Sequence, residues 1–324
     1  MQTLIDFGVS LIIALQQMSA GVVPVMDFFS QLGTEDFFFL VLLLIYWSID
    51  SALGIRVGFI LVVSSFVNLV GKLSFAGPRP YWVSSHIQPW WPETSFGVPS
   101  GHAQHAMSVW GIIAAYVKRP WVTAICGFLV VMIGFSRMAL GAHFPHDVLL
   151  GWLLGGILLW LFSRYWDGMA GWLAGMTFRR QIEIAFLAAL AMIMVGLTVA
   201  GLRSDFQLPD DWSINALRSG IEPDPINRDG VFTSAGTFFG LAIGAAWIHS
   251  LGGYQARGPV WKRALTYVIG LVGVLILWQG LGMVFPRGDG VLEYALRFLR
   301  YTLVGGWVAG GAPRVFQHFN LTTG

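Results

Sequence analysis

KLSFAGPRP at 72–80, PSGH at 99–102 and SRMALGAHFPHD at 136–147 are three short polar blocks in an otherwise apolar chain. At the ends of predicted helices they place three cations, two histidines and a carboxylate, namely Lys72, Arg79, Arg137, His102, His143 and Asp147. Because lipid makes isolated ionisable groups costly, such a collection indicates a functional site. The residue types predict an anion site that contains an acid, a base and a nucleophile.

The spacing within these blocks predicts how the side chains work together. His143 and Asp147 are four residues apart, so on a helix the carboxylate can accept the imidazole N–H and fix its tautomer. The other ring nitrogen is then free to attack. His102 follows the PSG turn and opens an apolar run, which places it in the first helical turn, where free N–H groups favour an anion.

The three cations predict a phosphate ligand. Arg79 and Arg137 can each grip two oxygens of a phosphoryl group, and Lys72 adds positive charge. This chemistry requires no cofactor and no metal, and we predict neither. Cys126 is the only cysteine, which excludes an intrachain disulfide and a cysteine-based metal cluster.

Composition predicts an integral membrane protein with an all-α fold. The chain is 56% hydrophobic and only 11% charged, and its net charge of +2 gives no reason to expect nucleic acid as a partner. A helix needs about twenty residues to cross a bilayer. We therefore predict a polytopic transmembrane helix bundle of about nine spans, with these bounds: 36–49, 53–73, 101–117, 120–138, 145–165, 180–202, 231–249, 264–285 and 291–312.

These spans predict three regions. Residues 1–34 lack the basic start of a cleavable signal and mix apolar with polar residues, so we expect them to remain as an interfacial segment. Residues 35–168 form the core that carries the three blocks, and 169–324 add further transmembrane helices. The outer loop at 203–230 is either a lid or a plain solvated loop. Glycine runs in the last region predict close helix packing.

The distribution of Lys and Arg predicts the orientation. Ten Lys and Arg residues lie on one side of the predicted helix bundle: Arg56, Lys118, Arg119, Arg164, Arg179, Arg180, Arg257, Lys262, Arg263 and Arg314. That side is therefore expected to be cytoplasmic. The three blocks lie on the opposite side, which faces the periplasm, the cell exterior or an organelle lumen. The membrane is then a cell inner membrane or an organelle membrane.

Together the blocks resemble the three-part signature of the type 2 phosphatidic acid phosphatase superfamily, matched in order over roughly residues 35–165. The resemblance implies that His143 is the nucleophile that forms a phosphohistidine, His102 the general acid and Asp147 the partner of His143. It also implies that the phosphoryl oxygens are bound by Lys72, Arg79, Ser100, Gly101 and Arg137. His146 matches no required position of the signature.

A second, local similarity is to glucose-6-phosphatase. It rests on RPYW at 79–82, on Glu93-Thr94, and on AHFPH at 142–146. The sequence departs at Asp147, where glucose-6-phosphatases carry glutamine and lipid and isoprenoid phosphatases carry aspartate. We therefore expect a membrane lipid phosphate or isoprenyl pyrophosphate as substrate, with a sugar phosphate as the alternative. Four aromatic residues could line an apolar approach or form an interfacial belt: Trp82, Trp90, Trp91 and Phe96.

Two other functional classes fit less well. Vanadium haloperoxidases resemble the same signature, but those known are soluble, whereas this chain is membrane-embedded. A non-catalytic transporter or lipid-binding scaffold would not need His102, His143 and Asp147 together. The expected partners are the lipid bilayer and a phosphorylated substrate, and the oligomeric state stays open.

Overall fold

The structure, a computed structural model, describes residues 2–17 and 21–322, and these ranges contain helices but no strands. The α-helices of the first half are α1 (Gln2–Gln16), α2 (Val22–Gln31), α3 (Glu35–Leu44), α4 (Ser51–Phe75), α5 (Pro80–Val83), α6 (Gly101–Val117), α7 (Pro120–Ala139) and α8 (Pro145–Ala174). Those of the second half are α9 (Phe178–Gly201), α10 (Asp210–Leu217), α11 (Asp229–Ser250), α12 (Val260–Leu275), α13 (Leu281–Val284), α14 (Val291–Gly306) and α15 (Ala312–His318). Short π-helical segments lie at Ile45–Ile49, Ile276–Gly280 and Trp307–Gly311. The all-α prediction is confirmed.

The number of membrane spans is smaller than predicted. In the described chain, six helical stretches are long and apolar enough to cross a bilayer: Ser51–Val83, Pro120–Ala139, Pro145–Ala174, Phe178–Gly201, Asp229–Ser250 and Val260–Val284. A seventh arises if Val22–Gln31 and Glu35–Ile49, bent by 54°, count as one span. The predicted count of nine is not confirmed: α6 has only 17 residues, and the helical stretch from α14 through Trp307–Gly311 to α15 is not among the six. The protein is nevertheless an integral membrane protein.

Local sequence explains where the site-bearing helices begin and end. The Ser100 side chain accepts a hydrogen bond from the backbone N–H of Ala103 and so caps the start of α6. Helices α7 and α8 both begin at a proline, which is favoured at the first helical position because its missing N–H is not needed there. The polar blocks therefore lie at the starts of α6 and α8 and at the ends of α4 and α7.

Contacts divide the chain into two compact units. The first comprises Met1–Phe38, Val67–Trp160 and Thr198–Asn227, and the second comprises Phe39–Phe66, Leu161–Leu197 and Arg228–Gly324. All three polar blocks belong to the first unit, together with the predicted N-terminal segment and most of the predicted outer loop. The division at 34 and 168 that the sequence suggested stays a prediction.

The first unit has an aromatic core beside the charged blocks. Trp82 and Phe96 are fully buried and contact Ile12 and Phe144 in the same cluster. They therefore do not line an open approach, which removes one of the two roles considered for them. Their burial fixes the chain just before the loop at 84–100 and near the end of that loop.

Part of the segment at 203–230 contacts that loop and the residues just before it, and the choice between a lid and a plain solvated loop stays a prediction. The Asn215 side-chain amide in α10 donates to the carbonyl oxygen of Trp82 at 3.1 Å. The Asp224 N–H donates to the carbonyl oxygen of Thr94 at 3.0 Å, and the Phe206 ring meets Phe96 edge-on at 5.4 Å. The segment thus covers the loop that precedes α6.

In the second unit, α11 and α14 pack closely through glycines, as their sequence predicted. A methyl group added at Gly236 would lie 2.5 Å from the Phe298 carbonyl oxygen, and one added at Gly244 would lie 2.9 Å from the Gly306 carbonyl oxygen. Close backbone approach of this kind replaces a hydrophobic driving force, which is absent between helices in lipid.

We predict that Gly236→Ala lowers the melting temperature of the protein in detergent. Overpacking costs about 1–3 kcal/mol, which exceeds the gain of up to about 1 kcal/mol from replacing a helical glycine by alanine. Gly127→Ala in α7 is the matched control, because no atom lies within 4 Å of its added methyl group. Thermal unfolding should show opposite signs for the two variants, and equal shifts would contradict the packing argument.

Candidate active site

Helix ends of the first unit bring the predicted site residues together. Lys72 lies in the last turn of α4 and Arg137 in the last turn of α7, while His102 and Asp147 lie in the first turns of α6 and α8. Arg79 is the residue just before α5. The side chains of Arg79, Arg137, His143 and Asp147 are completely buried.

Glu93 lies at the centre of the cations. Its Oε2 accepts a hydrogen bond from Arg79 Nη2 at 2.6 Å, and its Oε1 accepts one from Arg137 Nη2. Lys72 Nζ is 3.8 Å from Oε2 and His102 Nδ1 is 3.9 Å from Oε1. No spacing pattern in the sequence indicated a role for Glu93, which appeared only in the local similarity to glucose-6-phosphatase.

Glu93 is ionised in this environment. Burial alone would raise its pKa, but the positive charges of Arg79, Arg137 and Lys72 hold the pKa of Glu93 well below its ordinary value. A single carboxylate thus offsets part of the charge of three cations.

Hydrogen bonds to the loop at 84–100 and to Ala142 fix Arg79. Its Nε donates to the Ser95 carbonyl oxygen at 2.6 Å, its Nη1 to the Ala142 carbonyl oxygen at 3.1 Å and its Nη2 to the Phe96 carbonyl oxygen at 3.1 Å. Lys72 Nζ donates to Ser95 Oγ at 2.7 Å. Ser95 therefore orients two of the three cations, a role that no spacing rule in the sequence indicated.

Arg137 is held by the N-terminal helices. Its Nη1 donates to Ser30 Oγ at 2.5 Å, and its guanidinium carbon lies 5.3 Å from the centre of the Trp91 ring. Ser30 is fully buried at the end of α2, inside the segment predicted to be interfacial. That segment thus forms part of the site, and a serine 107 residues away from its partner gives no sequence signal of this contact.

The hydrogen bonds of His143 determine its tautomer. Nε2 lies 3.3 Å from Arg79 Nη1, and Nδ1 lies 3.3 Å from Asp147 Oδ2. Because a guanidinium group can only donate, Nε2 accepts and carries the lone pair, so the proton is on Nδ1 and is donated to Asp147. Asp147 Oδ2 also accepts the Phe144 N–H at 2.9 Å, which fixes the carboxylate.

His143 is neutral in this site. Burial, aided by the positive charge of Arg79, holds the pKa of His143 well below its ordinary value. A neutral imidazole with its Nε2 lone pair directed to the cation cluster is a nucleophile ready for an electron-poor centre. His146 Nε2 lies 3.2 Å from Asp147 Oδ1, and its ring stacks on Phe144. His146 therefore contacts the carboxylate oxygen that His143 does not use.

His102 lies on the other side of Glu93. Its Nδ1 is directed to Glu93, and its Nε2 has no hydrogen-bond partner among the described residues. Its ring meets Trp91 edge-on at 6.1 Å. Two histidines with different environments therefore border one anion position.

Ser100 and Gly101 belong to the second polar block, at the point where it contacts the third. The Ser100 N–H donates to the Asp147 carbonyl oxygen at 3.0 Å, while its side-chain oxygen caps α6. A methyl group added at Gly101 would lie 3.0 Å from Asn68 Oδ1, so space there is tight. Their predicted contact with phosphoryl oxygens stays a prediction.

Comparisons with known proteins found similar sequences along most of the chain. The profile of the PAP2 superfamily matches residues 53–170, and that of the PAP2 superfamily phosphatase transmembrane extension matches residues 232–324. Glucose-6-phosphatase 3 of Bos taurus is 28% identical, with 94% of this chain and 92% of that protein covered. Glucose-6-phosphatase 3 of Mus musculus is 29% identical over 78% of this chain and 77% of that protein.

Among solved structures, a similar one is the first transmembrane PAP2 type phosphatidylglycerolphosphate phosphatase from Bacillus subtilis. It is 26% identical to this chain, and the match covers 49% of this chain and 86% of that one. The TM-score of the match is 0.41.

We predict that Glu93→Gln lowers stability above the ordinary carboxyl pKa of 4.5 and has less effect below it. The folded-state pKa of Glu93 is depressed, so its contribution is present above the unfolded-state pKa and is lost as pH falls through the folded-state value. Leaving the cations unpaired should cost about 1–3 kcal/mol at neutral pH. The measurement is the melting temperature in phosphate-free detergent solution between pH 3 and pH 8.

Glu183→Gln is the control for this experiment, because Glu183 pairs with Arg179 on an exposed helix surface. Exposed pairs of this kind contribute about 0–1 kcal/mol. A stability loss at Glu93 that did not diminish in acid would contradict the assigned charge.

Proposed function

Because the chain belongs to the PAP2 superfamily and is an integral membrane phosphatase, we propose that it hydrolyses a phosphate ester through His143 as nucleophile. The observation that carries this proposal is the His143 tautomer, whose Nε2 lone pair is directed to the cations around Glu93. Asp147 acts as its positioning partner, and His102 acts as the general acid.

The reaction has two steps. His143 Nε2 attacks phosphorus, the bond from phosphorus to the leaving oxygen breaks, and His102 gives that oxygen a proton. Burial holds the pKa of His102 well below its ordinary value, so in this proposal its proton arrives with the bound phosphate ester. His102, now neutral, takes a proton from water, whose oxygen attacks the phosphohistidine and releases phosphate and His143. Five residues bind the phosphoryl oxygens and stabilise the developing charge: Lys72, Arg79, Ser100, Gly101 and Arg137.

The site faces the extracytoplasmic side in this proposal. Lys72 is near the end of α4 and Arg56 near its start, and Arg137 ends α7 just as Arg119 precedes it. Cations outside the blocks thus lie at the opposite helix ends from the site. The positive-inside rule favours the cytoplasm for those opposite ends.

A membrane lipid phosphate or isoprenyl pyrophosphate is the first candidate substrate. Asp147 supports it, because the sequence resembles lipid and isoprenoid phosphatases at this position. The position of the site supports it too, since helix ends lie near the depth of a lipid headgroup. A lipid could reach this position with its chains still in the bilayer.

A soluble sugar phosphate is the second candidate substrate, with equal support from a different observation. Relatives named glucose-6-phosphatase 3 match this chain over nearly its full length and not only over the charged blocks. The burial of Trp82 and Phe96 also removes two residues that could have lined an apolar approach for a lipid.

We predict that His143→Ala lowers kcat by more than about a thousandfold, because the nucleophile is lost. Asp147→Asn should lower kcat by only about 10- to 100-fold, because the imidazole survives with a poorly held tautomer. His86→Ala, on an exposed part of the loop at 84–100, is the matched control and should retain activity. Acid-labile phosphate on His143 in a rapid quench is the direct readout. Near wild-type turnover of His143→Ala would contradict the role assignment.

Specificity constants measured in detergent micelles with excess chelator distinguish the two candidate substrates. The panel is phosphatidic acid, phosphatidylglycerol phosphate, an isoprenyl pyrophosphate, sphingosine 1-phosphate and glucose 6-phosphate. A higher kcat/KM for a lipid supports the first candidate, and a higher value for glucose 6-phosphate supports the second. Loss of all activity in chelator, restored by a divalent metal, would contradict the metal-free mechanism.

A further inference from the structure

We propose that the Glu93 carboxylate is a built-in competitor of the substrate, which occupies the position of the phosphoryl oxygens and rotates away when a phosphate ester binds. This inference rests on the proposed function of the site. It adds a residue that controls how tightly oxyanions bind to the same cations.

The donors that Glu93 uses are the donors that a phosphoryl group needs. Arg79 Nε and Nη1 donate to backbone carbonyl groups, and Arg137 Nη1 donates to Ser30 Oγ. Both arginines direct Nη2 to the carboxylate of Glu93. The Nε of Arg137 is buried and has no hydrogen-bond partner among the described residues. A phosphoryl group that binds Nη2 of both guanidinium groups must therefore displace this carboxylate from them.

The carboxylate also lies where the reaction must take place. Arg79 contacts His143 Nε2 through Nη1 at 3.3 Å and Glu93 Oε2 through Nη2 at 2.6 Å, so the nucleophile and the carboxylate are neighbours on one guanidinium group. On the far side, His102 Nδ1 is 3.9 Å from Oε1. An atom attacked by His143 and a leaving oxygen protonated by His102 would lie between these two rings.

Only the side chain of Glu93 has to move. The Glu93 N–H donates to Tyr81 Oη at 3.0 Å, and Tyr81 Oη donates to the Glu93 carbonyl oxygen at 2.9 Å. Asp224 anchors the next residue, Thr94, through its carbonyl oxygen. With its backbone held at both sides and its side chain 21% exposed, Glu93 can leave by rotation about its own side-chain bonds.

The consequence is a reduced apparent affinity for every oxyanion. When only a fraction of the protein has the carboxylate displaced, the apparent dissociation constant equals the intrinsic constant divided by that fraction. Removal of the carboxylate should therefore tighten binding. If Glu93 instead only held the arginines in place, its removal would loosen them and weaken binding, so the two roles predict opposite signs.

The experiment measures competitive inhibition constants of orthovanadate and inorganic phosphate for the full-length protein in detergent. We expect Glu93→Gln and Glu93→Ala to lower both constants by about fivefold or more. Glu93→Asp keeps the charge but is one methylene shorter, so it reaches the arginines less well and should lower the constants by a smaller factor. This third variant keeps the test valid if the neutral variants fail to fold.

Glu35→Gln is the matched control, since Glu35 lies 3.7 Å from His105 and is exposed. It removes the same charge from the same unit without freeing an arginine, and it should change the constants by less than about twofold. Unchanged or higher constants in the Glu93 variants would overturn the inference. If the wild-type protein neither cleaved a phosphate ester nor bound vanadate, the proposed function itself would fail.

Discussion

Burial of two guanidinium groups is the constraint on which the first unit depends. Arg79 and Arg137 are completely enclosed in a membrane protein, where an uncompensated charge is strongly unfavourable. Most of their N–H groups donate to carbonyl oxygens, to Ser30 or to the shared carboxylate of Glu93, and the Nε of Arg137 is left without a partner among the described residues. The end of α2, the loop at 84–100 and the segment that contains Ala142 converge because each supplies part of this compensation.

The same residues hold the fold and prepare the chemistry. Asp147 accepts from His143 and from the Phe144 N–H through its side chain, while its carbonyl oxygen accepts the Ser100 N–H. The start of α8 is thereby tied to the start of α6, and His143 is oriented by the same carboxylate that accepts the Phe144 N–H at the start of α8. Preorganised groups of this kind need no rearrangement when charge develops during the reaction.

The sequence predicted the parts of this site that follow local spacing. His143 and Asp147 are neighbours because a helical turn places them so, and PSG predicted the start of α6 correctly. Glu93, Ser95 and Ser30 were missed, because their contacts depend on tertiary packing and not on spacing. The predicted span count differed for a related reason: hydropathy detects apolar runs, but it does not show that α6 is short or that the pair Val22–Gln31 and Glu35–Ile49 is bent.

Charge compensation also explains why the motif cannot select the substrate. The cations require an anion in every state, whether it is the Glu93 carboxylate or a phosphoryl group, and both would use the same N–H groups of Arg79 and Arg137. A lipid phosphate and a sugar phosphate are identical in that part of the site. Discrimination between them must come from residues outside the cation cluster that would meet the alcohol part of the ester. The loop at 84–100 carries Glu93 itself, and Tyr81 and the segment at 203–230 hold that loop on either side of it.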